Sequence, residues 1–418
     1  MVQQFDRSQY EDVEWNPLDP HQLENPYPLY ARARQERPIF FSPTFGIWYV
    51  TRYEDIMQIL RQPELFSSAN SFMVTTEFAP EVEAVLAEGY PIVPTLVDND
   101  PPSHTRFKKL VGKVFAPNRV REKADEIREL AHMLIDDFVD EGRADIAWQF
   151  AYLLPMYTIG DFLGVPREDM KMIKQWSDDW LLMMSGAAPT DELVGAAHSL
   201  VRFQNYFKDM LEDRRANPQD DYISALITVR EEGEEPLADL EILCLALQLM
   251  FAGHETATNL INSTLWLLLH HPEQYAEVRD KPELAAEAIE EGLRLESPVP
   301  GLIRTVTQDT EFDGIFLPKG SRLQLMYASA NRDAEKFEDP DTFDLHRANK
   351  YDHLALGKGI HYCVGAPLGK LESIIAIQAL LERLPNMRLA ADQTFEHQPS
   401  LVMRGLKNLI VEWDPPQA

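Results

Sequence analysis

The segment Leu356-Gly-Lys-Gly-Ile-His-Tyr-Cys-Val-Gly365 carries the densest chemical signal in the chain. A single thiol, Cys363, stands just ahead of an apolar helical stretch, and the partial positive charge of a helix N-terminus stabilises a thiolate. Taken alone, such a cysteine is more often an inert packed residue, because free Cys is so often buried. The glycines at 357, 359 and 365 around His361 shift that reading. They permit a tight backbone whose amides point at sulfur and against which a flat, bulky ligand can lie, a description that a haem iron fits. Cys244, the only other cysteine, has no CxxC partner, so no disulfide framework is implied. His353, His361 and Cys363 leave zinc as a remote further reading, with no fourth ligand in view.

A second polar group, Ala252-Gly253-His254-Glu255-Thr256, interrupts a long apolar stretch from Leu237 to His270. A helix-interior Gly costs about 1 kcal/mol relative to Ala, so this placement needs a reason. One is a polar patch lining a buried water; a second, a helix that opens locally with Glu255 and Thr256 as acid and alcohol for proton delivery, is what a family resemblance implies. His254 faces away by helical phase. Glu291 and Arg294 share a helix face at i,i+3, which by itself means a structural ion pair. Asp100-Pro-Pro-Ser-His104-Thr-Arg-Phe-Lys108 opens another helix.

The Cys363 loop resembles the haem-binding loop of the cytochrome P-450 family, usually Phe-x-x-Gly-x-His-x-Cys-x-Gly, and the resemblance extends over nearly the whole chain. It departs at Leu356, where the family has Phe, and at Lys370, where an Arg is usual; neither change removes a ligand. The resemblance implies haem b with Cys363 as the axial iron ligand, dioxygen as co-substrate, and Ala252, Gly253, Leu356, Gly357 and Gly365 against the cofactor. His104, Lys108, Arg304 and His361 match the family's propionate contacts. Lys108 is the weaker match, since an ammonium lacks the bidentate fork of Arg. Glu255 and Thr256 match the acid–alcohol pair that relays protons and positions dioxygen, and Glu291, Arg294 and Arg347 match a bracing triad with a structural role. The substrate side would draw on Tyr90, Leu96, Val97, Gln248, Phe251, Leu302, Val402 and Met403, a mostly apolar lining suited to an apolar small molecule. For Tyr90, a hydrogen bond to substrate and a packed core aromatic stand as equal readings.

The implied activity is a soluble bacterial-type monooxygenase that hydroxylates or epoxidises its substrate with electrons from a separate ferredoxin- or flavodoxin-like donor and its reductase, 418 residues leaving no room for a fused one. A peroxygenase that uses hydrogen peroxide directly is a rival, although that type lacks the acid–alcohol pair; a non-catalytic haem-thiolate sensor or carrier is another. Seven Lys or Arg between His104 and Lys123 (Arg106, Lys108, Lys109, Lys113, Arg119, Arg121, Lys123) against the single acid Glu122 suggest a docking patch for an acidic donor.

The elements that must hold these residues follow from periodicity. Helical patterns fall at about 53–61, 105–115, 122–140, 167–185, 190–215, 221–230 and 237–270, then from Pro282 to the Ser297-Pro298 stop and from Cys363 to Leu384. A hairpin is expected from Ile39 to Thr51, and short strands between Leu302 and Tyr327 with turns at Asp313-Gly314 and Lys319-Gly320. The fold is therefore expected to be mainly α with minor β; the family resemblance makes it one triangular, helix-rich domain over 1–418, with residues 1–20 a loosely packed arm. The acidic stretch Glu231 to Glu241 reads as a solvated loop entering a helix. A formal charge of -29 disfavours nucleic acid and anionic lipid, and the absence of a signal segment or an 18-residue apolar run predicts a cytoplasmic protein without a membrane anchor.

Overall fold

A computed structural model describes residues 10–12, 15–71, 78–185, 188–233, 235–400 and 402–414. It is mainly helical with small sheets, as the periodicity predicts. The first helices are α1 (Pro20–Glu24), α2 (Tyr27–Glu36), α3 (Tyr53–Leu60) and α4 (Pro80–Leu86). There follow α5 (Ser103–Val114), α6 (Pro117–Glu122), α7 (Ala124–Asp136), α8 (Leu153–Leu163), α9 (Met170–Ser185), α10 (Thr190–Ala216) and α11 (Tyr222–Thr228). The long apolar stretch becomes α12 (Asp239–His270), and then come α13 (Pro272–Asp280), α14 (Ala285–Leu295), α15 (Tyr327–Ala330) and α16 (Ala366–Arg383). Pro282 to Leu284 form a 3-10 turn that leads into α14. No helix among the described residues is long and apolar enough to cross a membrane.

α12 is hydrophobic on every side, the pattern of a helix buried all round, and residues from Ile242 to Leu268 are mostly buried. α8, α10, α14 and α16 pack around it, so the polar group at 252–256 lies in the middle of the molecule. The expected hairpin forms as β1 (Ile39–Ser42) and β2 (Ile47–Val50), with Ile39 opposite Val50. It joins β3 (Phe66–Ser67), β5 (Leu302–Val306) and β8 (Arg322–Leu325) in the order β1-β2-β8-β5-β3. Asp313 and Gly314 both take positive φ (49° and 73°), the two-residue turn that matches strand twist, between β6 (Thr310–Phe312) and β7 (Ile315–Leu317). A third sheet pairs β4 (Arg143–Asp145) and β9 (Arg388–Leu389) with β10 (Ile410–Glu412).

Residues 1–9 and 13–14 of the expected N-terminal arm lie outside the described residues. Trp15 is buried among Tyr30, Phe40 and Tyr49, and Tyr10 packs on Trp48. Beyond it, Arg404 donates to the carbonyls of Leu23 (2.7 Å) and Glu24 (3.1 Å) and pairs with buried Glu296 (2.9 Å). His397 Nδ1 lies 2.7 Å from Glu24. The first helix is thereby fastened to the segment that carries Val402 and Met403.

The bracing triad forms as the resemblance implies. Arg294 meets Glu291 in a two-pronged pair (2.7 and 2.8 Å), Arg347 approaches the same carboxylate at 3.3 Å, and Arg294 donates to the carbonyls of Asn331, Pro340 and Thr342. Glu372 on α16 is the opposite case. It is buried, and neither carboxyl oxygen has a hydrogen-bond partner among the described residues. Burial pushes its pKa well above the ordinary value, with Thr158 on α8 offsetting only part of this. A carboxyl whose folded pKa is raised stabilises the protein least once pH exceeds the unfolded value, because the unfolded chain then ionises freely. Glu372→Gln is therefore expected to raise the thermal midpoint by roughly 2 °C or more at pH 8 and by little at pH 4.5; equal shifts at both pH values would contradict a neutral acid.

Candidate active site

The loop ahead of α16 has the backbone that its glycines predict. Gly357 and Gly359 both take φ +67°, and a side chain on Gly357 would press on the carbonyl of His361 at 3.2 Å. The amide of Cys363 closes the loop on the Leu356 carbonyl at 2.9 Å. Burial raises the thiol's pKa, while the amides of Gly365 and Ala366 and the charge of Lys108 pull it down. Its side chain is nonetheless exposed. In mid-helix on the otherwise buried α12, Ala252 is likewise exposed.

Beside the loop stand four basic groups. His104 on α5 stacks on His361 at 4.1 Å between ring centres. Lys108, one turn later, donates to the Tyr362 carbonyl, and Arg304 on β5 is buried, donating to Ile303 O (2.8 Å) and Ser71 (3.3 Å). Burial holds His361 down at about 3, reinforced by the charges of Arg304, His104 and Lys108. His104 is lowered too, burial first, and its Nδ1 has no partner among the described residues. Two cations, Lys108 and Arg304, beside two imidazoles, one of them with an orphaned nitrogen, call for anionic ligands. Two propionates would supply them, so the residues present fit haem b: a thiol backed by amides, a flat glycine-lined cradle and a basic corner. His353 is committed to Glu290 (3.0 Å), which also pairs with Lys370 (2.6 Å), and no group of three metal-ligating residues occurs among the described residues. That removes the zinc reading.

The structure corrects one expectation on α12. The helix runs unbroken through 252–256, with the Thr256 hydroxyl donating to the Ala252 carbonyl at 3.0 Å. Gly253 serves a helix crossing: a side chain there would meet Ile159 of α8 at 2.6 Å. His254 is fully buried and bonds Met250 O (3.0 Å), the structural place that helical phase predicts. Glu255 lies 2.9 Å from Lys174 and 3.2 Å from His254. Burial alone would raise its pKa, but those two neighbours outweigh it and hold the carboxyl down at about 2. Lys174, which sequence reasoning missed, is buried over the Tyr152 ring and also pairs with Asp178, whose side chain is 46% exposed. A lysine on a largely apolar helix face was the available signal. Replacing Lys174 with Met is expected to let burial win and move the Glu255 pKa up from about 2, so that an acid-side inflection enters the pH profile of turnover where the wild type is flat; an unshifted profile would remove Lys174 from the relay.

Of the expected substrate residues, Phe251, Val402 and Met403 come together in one apolar cluster with Met184, and Trp180 of α9 packs against it. The others are placed differently. The main chain of Tyr90 is clamped by Gln204 (2.9 and 2.7 Å), and its phenol lies near Lys208 on α10, so the packed reading holds over a substrate contact. Gln248 accepts from Thr95 Oγ1 at 3.0 Å and so positions the 95–98 turn. Leu96 packs in the main core, Leu302 against the sheet cluster, and Val97 is half-buried. The basic patch is also corrected: Arg106, Lys109, Lys113 and Lys123 already hold carboxylates of this chain.

An exposed cysteine presented by a glycine-shaped loop beside a basic corner, in a chain whose core helix bears an acid and an alcohol, defines a haem-thiolate protein. The chain belongs to the cytochrome P450 family, whose model matches residues 195–410. It is 33% identical to the putative cytochrome P450 YjiB of Bacillus subtilis over 93% of this chain and 94% of that one. To cytochrome P450 107B1 of Saccharopolyspora erythraea it is 35% identical, over 91% and 93%. The solved structure of cytochrome P450 CREJ in complex with (4-ethylphenyl) dihydrogen phosphate superposes with a TM-score of 0.90 at 33% identity, covering 96% of this chain and 99% of that one. The protein is thus a haem monooxygenase, an oxidoreductase. When bound, the haem supplies dioxygen activation, with electron density from the Cys363 thiolate favouring O–O cleavage.

Proposed function

We propose that this P450 inserts one oxygen atom of dioxygen into an apolar small molecule, using electrons from a separate ferredoxin- or flavodoxin-type protein, in the cytoplasm. The observation that carries the substrate class is the Phe251, Met184, Val402 and Met403 cluster, with Trp180 packed against it. It offers apolar wall to a ligand and no charge. Cys363 ligates the iron, and His104, Arg304 and His361 hold the propionates with Lys108 at their edge. Ala252, Leu356, Gly357 and Gly365 lie against the ring.

Protons enter along the chain Asp178, Lys174, Glu255. Burial, then the nearby charge of Glu255, raises the pKa of Asp178 and so brings it nearer neutrality, even against the pull of Lys174; it can take protons from water and pass them inward. Glu255 is ionised at rest and accepts them, and Thr256 hands them on by exchanging its bond to Ala252 O for one to the reacting oxygen. This is general acid work by position rather than by raw acidity, and it favours the monooxygenase over the peroxygenase and sensor readings.

The test has two arms. Titrating the ferric holoprotein with terpenoids, steroids, fatty acids and aromatic acids is expected to give a low-to-high-spin Soret shift with one apolar class; no shift with any would overturn the substrate reading. Thr256→Ala is expected to leave that shift intact while product per electron falls about tenfold or more and hydrogen peroxide rises, in line with the usual 10²–10⁴-fold worth of a positioned proton donor. Unchanged coupling would exclude Thr256 from proton delivery.

A further inference from the structure

An open cleft of about 750 Å³ lies between α6 and α7 on one side and α8 and α11 on the other, and none of the residues on its walls takes part in the chemistry above. Its floor is apolar: Ile127 and Leu130 of α7, Phe162 of α8 and Tyr222 of α11 are all buried. A concave site of this volume, with an apolar floor and a few placed polar groups, is of the kind that holds a small molecule.

Tyr222 supplies the first polar group. Its side chain is 9% exposed, and its hydroxyl has no hydrogen-bond partner among the described residues. The ring is fixed between Phe115 (4.5 Å between centres) and Phe162 (4.9 Å), so the hydroxyl does not swing out to water. Burial pushes the phenol up, with the charge of Arg119 on the facing α6 wall offsetting part of this, and the group stays a neutral hydroxyl. A buried hydroxyl left without a partner bears its full desolvation cost until something bonds to it.

The rim supplies the rest. In a chain of net charge -29 the acids alone discriminate little; their pairing does. Glu126 is taken by Lys123 (3.0 Å), Asp161 by Arg167 (3.0 Å), and Asp221 by Arg214 (2.5 Å) and the Ser224 amide (2.8 Å). Glu122, Glu129 and Asp220 pair with no cation among the described residues, against Arg119 as the cation left over on the same walls. Three uncommitted carboxylates above an apolar floor with two aromatic rings favour a cation that carries a hydrocarbon body. An ammonium can both approach a ring face and donate to a hydroxyl.

We propose that this cleft is a second binding site, separate from the haem, for a primary amine with an apolar body, its ammonium drawn by Glu122, Glu129 and Asp220 and donating to the Tyr222 hydroxyl. The inference goes beyond the monooxygenase reading and does not depend on its substrate class.

The experiment is a calorimetric titration of the ferric holoenzyme saturated with imidazole, so that an amine cannot take the iron. The probes are 2-phenylethylamine, 2-phenylethanol and phenylacetate, which share a body and differ in charge. At low ionic strength the amine is expected to bind about tenfold or more tighter than the alcohol, and phenylacetate more weakly than either, with the amine's advantage shrinking in about 0.3 M salt. Glu129→Gln with Asp220→Asn, both exposed positions, should weaken the amine threefold or more at low salt. Tyr222→Phe should weaken it about fivefold while leaving the thermal midpoint of the free holoenzyme unchanged or raised, because that hydroxyl bonds nothing until a ligand arrives; a merely structural tyrosine would lose stability instead. Equal binding of amine and alcohol, or preference for phenylacetate, would overturn the ammonium assignment. No binding of any probe, or amine binding that neither variant alters, would overturn the site.

Discussion

Replacing Cys363 with His is expected to abolish the thiolate-type ferrous carbon monoxide spectrum and reduce turnover below detection, with far-UV circular dichroism unchanged. Fold and chemistry separate here for a physical reason. The loop is shaped by Gly357 and Gly359 and closed by the Cys363 amide on Leu356 O, none of which uses the thiol. The side chain is exposed, so changing it opens no hole in the core. What is lost is the sulfur that the amides of Gly365 and Ala366 face; a neutral imidazole is a weaker electron donor to iron than a thiolate. A thiolate-type spectrum surviving in this variant would overturn the ligand assignment.

Arg294→Met is expected to act in the opposite way, destabilising the protein by about 3–5 kcal/mol, the usual cost of breaking a buried ion pair from one side. Arg294 and Glu291 are both completely buried. Removing the guanidinium leaves the Glu291 carboxylate with Arg347 alone, at 3.3 Å, and leaves the carbonyls of Asn331, Pro340 and Thr342 without this donor. A fall in thermal midpoint of roughly 3–6 °C, with haem lost before the helices melt, is the expected result. A variant of wild-type stability with normal haem content would show that the triad is ornamental. Because the triad fastens α14 to the segment 331–347, and Glu290 on the same helix holds Lys370 of α16, the loss should spread to the cysteine loop.

Helices with an apolar stripe or sharp caps were legible in the sequence, and so were the two glycine turns between β5 and β8. α8 was not: Leu-Leu-Pro-Met-Tyr-Thr-Ile-Gly-Asp-Phe-Leu is apolar nearly all round, so it has no stripe to detect, and Pro155 sits within it. The third sheet was also hidden, since it pairs Arg143–Asp145 with Ile410–Glu412 and no local pattern announces a partner so far along the chain. In the site, the Cys363 loop could be read because its residue types and spacing carry the chemistry, and the propionate residues were implied by the family resemblance. The packing reason for Gly253, Ile159 on another helix, was not legible, nor were the carboxylates that hold the basic run, since Glu231 and Glu241 lie more than a hundred residues downstream. Residue type can be read locally; its partner is a property of packing.

On the proposed reading of the Phe251, Val402 and Met403 cluster as substrate wall, the fastening of the first helix to Arg404 and His397 ties the chain's beginning to selectivity. Val402 and Met403 are held by a neighbour that itself grips Leu23 and Glu24, so a shortened start or a bulky affinity tag there would loosen one side of the apolar cluster while leaving iron and proton path untouched. Libraries aimed at new substrates therefore have a lever outside the cavity: exchanging residues 15–25 between relatives should shift which molecules are oxidised, and at which carbon, without rebuilding a single residue of the pocket.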